Sequence, residues 1–114
     1  MEFSVERADQ TIPFTLRDDT GELAALGVDH LAGLIIDAAA HDEIHAVTVT
    51  ATGTAIEVEV GLPGVPRRRE LRAITARRLT DFLSAMSADQ IWHPAVRHSL
   101  EQALLDDLRK DLHA

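Results

Sequence analysis

The sequence predicts an α+β domain in which a small antiparallel sheet, two β-hairpins making about four strands, carries three helices mainly on one face, in the order ββαββαα. Three observations predict it. From Ala46 to Val60, the residues Val47, Val49, Ile56, Val58 and Val60 alternate with Thr48, Thr50, Glu57 and Glu59, the period-two pattern of half-buried strands. Phe3, Val5, Ile12, Phe14 and Leu16 repeat that alternation near the start of the chain. Elsewhere apolar residues recur at three- and four-residue steps, as they do on helices that cover a sheet.

Taken in order, Phe3 with Val5 and Ile12 with Phe14 and Leu16 form the first hairpin, the polar stretch from Arg7 to Gln10 being its turn. Pro13 cannot donate to a ladder, so its strand is expected at an edge or with that position facing outward. Asp18-Asp19-Thr20-Gly21 marks a turn. Glu22 to Leu26 reads as a single helical turn stopped by Gly27, and Asp29 as the N-cap of a helix reaching about His41. Leu31, Leu34, Ile35 and Ala38 make its stripe, widened by Ile36 and Ala39, so this helix should be covered on two sides. The central hairpin turns at Thr52-Gly53 in this reading, with Gly53 supplying positive φ; Val49 then lies opposite Ile56 and Val47 opposite Val58.

After the rigid connector from Gly61 to Pro66, a long helix is expected from about Arg67 to Met86, with Leu71, Ile74, Leu79, Phe82, Leu83 and Met86 on one arc. Ser87-Ala88-Asp89-Gln90 resembles a capping box for a short turn carrying Ile91 and Trp92. Pro94 suits a first helical position. The last helix, to about Leu112, carries Val96, Leu100, Ala103, Leu104, Leu108 and Leu112.

Composition narrows the function classes. A chain of 114 residues, 46% hydrophobic and 26% charged, fits one domain over 1–114. With neither a long apolar run nor a signal-peptide pattern, it reads as cytoplasmic and not membrane-bound. Zero cysteines remove thiol chemistry and thiolate metal sites. A net charge of −8 argues against nucleic acid and anionic membranes as partners. Three Phe, one Trp and no Tyr leave little for base stacking or an aromatic cofactor pocket, and no cofactor is expected. Ten of the eleven basic residues are Arg, a usage associated with GC-rich bacterial genomes.

Candidate sites are few. Arg67, Arg68, Arg69, Arg72, Arg77 and Arg78 place six of the eleven basic residues within twelve positions. At a helix N-terminus, Arg67, Arg68, Arg69 and Arg72 would suit an anion; the alternative is local pairing with Glu57, Glu59, Glu70 and Asp81. Asp37, His41 and His45 have one-face helical spacing for a metal, but His45 falls where the strand begins, and no metal site is assigned. His30 or His41 with a carboxylate could serve acid–base chemistry; no catalytic residue is assigned. Leu26-Gly27-Val28-Asp29-His30-Leu31 resembles the acyl-carrier-protein motif, with His30 where that family has its serine; the missing serine and the flanking strands exclude a carrier. Leu100, Leu104, Leu108 and Leu112 are the candidate partner-binding stripe, if the sheet does not use them all.

The leading expectation is a small acidic non-enzymatic protein-binding module, a regulatory or accessory subunit or a homo-oligomer, whose partner is another protein or a second copy of itself. An immunity or antitoxin-like role, in which acidity masks a basic partner, belongs to the same class. The competing expectations are a small lyase or isomerase using a His–carboxylate pair, and an anion- or nucleotide-sensing module using Arg67 to Arg78.

Overall fold

The computed structural model describes residues 1–7, 9–39, 44–53, 55–62 and 64–113. Five strands and three helices follow one another as β1 (Glu2–Arg7), β2 (Gln10–Asp18), α1 (Glu22–Ala39), β3 (Ala46–Thr52), β4 (Ala55–Gly61), β5 (Arg67–Glu70), α2 (Ala73–Ser87) and α3 (Pro94–Leu112). The class is α+β, but the sheet is larger than the expected four antiparallel strands and is mixed. Its order is β1-β2-β3-β4-β5, with β2 and β3 parallel and every other pair antiparallel.

The parallel pair exists because α1 intervenes. Two hairpin strands joined by a tight turn must run antiparallel, whereas a helix between strands returns the chain to the same end of the sheet. Phe14 then lies beside Val47 and Leu16 beside Val49, which merges the apolar faces of both hairpins. Pro13 sits opposite Ser4, exposed and one residue before the parallel ladder begins, so its missing N–H is tolerated on an interior strand.

The central hairpin keeps its predicted faces but not its predicted register. Thr52 pairs with Ala55, so the turn falls between them, with Gly53 at φ 56°; Val49 faces Val58 and Val47 faces Val60. A shift of two residues preserves side-chain parity, so every valine stays on the buried face. Ile56 meets Ala51, which joins the core.

Arg67 to Glu70 form a strand where a helix was expected. Glu57 and Glu59 supply the reason: Arg68 crosses to them, its Nε 3.2 Å from Glu57 and its Nη2 3.0 Å from Glu59, and opposite charges across a ladder favour extended pairing. The Leu71 N–H extends this ladder to the Ile56 carbonyl. With Leu71 on the sheet, the helical arc is centred on Leu79, and Thr75, Ala76, Leu79, Phe82 and Leu83 are buried. Ile74, about 140° from Leu79 at 100° per residue, is exposed.

Helices cover one sheet face. Ile12, Phe14, Leu16, Val47, Val49, Val58 and Val60 are buried on it, while the alternate positions carry Thr, Glu and Arg. Each fully buried Leu, Ile or Val contributes roughly 1.5–3 kcal/mol. α1 is covered from two sides as expected, by β2 and by α2 and α3.

Gly27, at φ 113° and ψ 88°, is non-helical and divides α1 into two helical segments across a kink, so the segment from Glu22 stops at Gly27 as expected, and Asp29 lies at the start of the second segment. Asp18, at the end of β2, caps the first segment. One of its carboxylate oxygens accepts the Leu23 and Ala24 N–H groups at 2.8 and 3.4 Å, and the other accepts the Thr20 N–H and hydroxyl. Burial pushes its pKa up, but these hydrogen bonds outweigh burial and hold it below the ordinary 3.8.

The unfolded chain therefore binds the Asp18 proton more tightly than the folded one. Its stabilisation is complete above the ordinary carboxylate range and is lost as pH falls through the lowered folded value. Asp18→Ala should cost about 1 kcal/mol in neutral denaturant melts. The cost should shrink in melts at acid pH.

Candidate functional site

The longest helix, α3, packs along only part of its length, and a groove lies beside the part that stays exposed. In the second half of α3, Leu104, Leu105, Leu108 and Leu112 are buried, and Asp111 is buried with them. Asp111 accepts both the backbone N–H of Arg72 at 3.0 Å and its Nε. Asp107, one turn earlier, lies 2.6 Å from Nη1 of Arg78 and 3.8 Å from Nη2 of Arg72. These two carboxylates tie α3 to α2 and to the junction after β5.

Among the described residues, the first half of α3 has no such ion pair or hydrogen bond to α2. Arg97 reaches His30 of α1 at 3.4 Å on one side. On the other side a groove of about 800 Å³ lies between α3 and α2. Phe82 and Ala85 of α2 form one wall, Val96, Leu100 and Ala103 of α3 the other, and Ile91 and Trp92 close the end. Along it Trp92 is 77% exposed, Val96 52% and Leu100 46%.

The connector between α2 and α3 is not the expected capped helical turn. Asp89 takes φ 55°, and the N–H groups of Ala88, Asp89 and Gln90 bond back to the carbonyls of Ser84, Met86 and Ala85. Ser87 to Gln90 thus terminate α2 instead of starting a new turn, a left-handed residue after the last turn being a common helix stop. Ile91 and Trp92 line the groove, His93 is extended, and Pro94 begins α3 as predicted.

The predicted stripe therefore divides. Leu104, Leu108 and Leu112 are core residues, because the anchored half of α3 turns them onto α1 and the sheet; Leu100 alone of the four stands exposed. Trp92, Phe82 and Ala85 were not among the candidates. The signal available for them was the single Trp beside a helix start, which gains meaning only when α2 and α3 are seen to flank a groove.

The arginines are dispersed. Arg67, Arg68 and Arg69 sit on β5 and not at a helix N-terminus, Arg68 is held by Glu57 and Glu59, and Arg72 is held by Asp107 and Asp111. Arg77 lines a smaller cavity of about 370 Å³ at the end of β2 and β3. Asp18 also lines it, but its carboxylate is committed to α1.

For acid–base chemistry, half-buried His30 has the Arg97 guanidinium as its hydrogen-bond neighbour and the Phe82 ring at 6.4 Å. His41 lies outside the described residues. Asp37 pairs with Arg7 at 3.2 Å, and His45 is exposed just before β3. Among the described residues no group of three His, Cys, Asp or Glu could hold a metal ion. No described helix is long and apolar enough to cross a membrane.

Leu108→Ala should cost about 2–5 kcal/mol in denaturant melts, as a buried leucine does, whereas Leu100→Ala should stay within about 0.5 kcal/mol. Asp111→Ala should cost about 2–3 kcal/mol, because it leaves the Arg72 backbone N–H without its charged acceptor.

No family model matches the chain, and no curated protein or solved structure does.

Proposed function

We propose that this chain is a small acidic, non-enzymatic protein-binding module, a regulatory or accessory subunit, that acts through the apolar groove between α2 and α3. One observation carries the reading. Trp92, Val96 and Leu100 line a single groove of about 800 Å³ while remaining 77%, 52% and 46% exposed. Isolated exposed apolar residues need no explanation, but a contiguous set lining a concavity marks a binding surface. Covering them would remove apolar area from water at about 25 cal/mol per Å².

A small apolar ligand suits the groove less well, since pockets for such ligands bury most of the ligand. The His–carboxylate reading has no comparable support, because the described neighbour of His30 is a guanidinium. The anion-sensing reading loses Arg68 and Arg72 to carboxylates already present.

Leu100→Asp and Val96→Asp should leave the thermal melting profile nearly unchanged, since both positions are exposed. Each should abolish capture of a partner that the unaltered protein retains from native lysate. A protein that captures nothing, or whose captured set is unaltered by both substitutions, would contradict the reading.

A further inference from the structure

Resting on the groove as the binding site, we infer that its occupant is a single amphipathic helix, contributed by another protein, that presents cationic side chains beside its apolar stripe. Size and charge both point to this occupant.

A stable dimer buries about 800 Å² on each partner. The exposed apolar surface at the groove is narrower than that: it is essentially Trp92, Val96 and Leu100 between two helices. A single aromatic side chain supplies at most about 150–250 Å². One helix, about 10–12 Å across with its side chains, is a better match to such a slot. The walls also suit large anchors. Ala85 on α2 and Ala103 on α3 are small, and the room they leave accepts a Leu- or Phe-sized side chain from an incoming helix.

Charge gives the sign of the helix's polar flank. Of the formally charged residues lining the groove, Arg78 and Asp107 neutralise each other at 2.6 Å. The remaining one is Asp81, exposed on the α2 wall and making no ion pair among the described residues. The whole chain carries −8. A second copy would set −8 against −8 and add another carboxylate, whereas a cationic helix compensates both the local and the overall charge.

Three synthetic helical peptides of about five turns, sharing one leucine face and carrying Lys, Gln or Glu on the other, test this directly. They are titrated into the full chain at low and moderate salt while the emission of Trp92, the sole tryptophan, is followed. The Lys peptide should shift Trp92 emission to the blue and bind about tenfold or more tightly than the Glu peptide at low salt, with the Gln peptide between. Asp81→Asn should weaken the Lys peptide about three- to fivefold and leave the Gln peptide unaltered. Leu100→Asp should abolish the Trp92 shift with all three.

Equal affinity for the three peptides overturns the cationic-helix inference while leaving the groove as a binding site. No Trp92 shift with any peptide overturns both. Lys-peptide binding that is indifferent to Asp81→Asn and Leu100→Asp is attraction to the acidic chain at large and overturns the inference. A dimer detected by light scattering and dissolved by Leu100→Asp puts a second copy in the groove and overturns it as well.

Discussion

Phe14 beside Val47 and Leu16 beside Val49 join two hairpins, each marginal alone in water, into one apolar surface wide enough to need three helices. That parallel ladder requires a crossover, and α1 is the crossover. Because α1 must leave the end of β2 and return to the start of β3, it lies across the sheet and buries an apolar face that nearly encircles it. The capping of its first turn by Asp18 belongs to the same constraint, since the residue that ends β2 also satisfies the donors that begin α1.

The second level of organisation is the attachment of α3. Asp107 and Asp111 are one helical turn apart, so both face α2 and the end of β5, where Arg72 and Arg78 meet them. Asp111 carries the larger structural load, because it is buried and accepts a backbone N–H as well as a guanidinium N–H. From this attachment the groove runs between α2 and α3 to Ile91 and Trp92, past the left-handed Asp89 that follows α2. The groove and its exposed Trp92 thus lie between two helices joined by the Arg78–Asp107 pair, and the proposed binding role rests on that arrangement.

The arginine-rich stretch illustrates how pairing redirects a local signal. By composition Arg67 to Arg78 read as one basic helical face. In the fold they are shared between a strand and a helix, with Arg68 answering the glutamates on the open sheet face and Arg72 and Arg78 answering the aspartates of α3. An acidic chain has carboxylates enough to absorb such a cluster, and what stays unmatched at the groove is the carboxylate of Asp81.

By itself the sequence determined which residues face inward on the strands and, broadly, on the helices, because period two and period 3.6 are local properties of the backbone. Val47, Val49, Val58 and Val60 on the buried face, Gly53 in a turn and Pro94 at a helix start were all legible in this way. Tertiary structure decided the parallel pairing of β2 with β3, the two-residue shift of the central hairpin and the conversion of Arg67–Glu70 to a strand. It also decided the division of the α3 leucines into a buried Leu104, Leu108 and Leu112 and an exposed Leu100. The physical reason is common to these cases. Each depends on which partner a segment meets across space, and hydrophobic period carries the orientation of a side chain without naming the surface that will cover it.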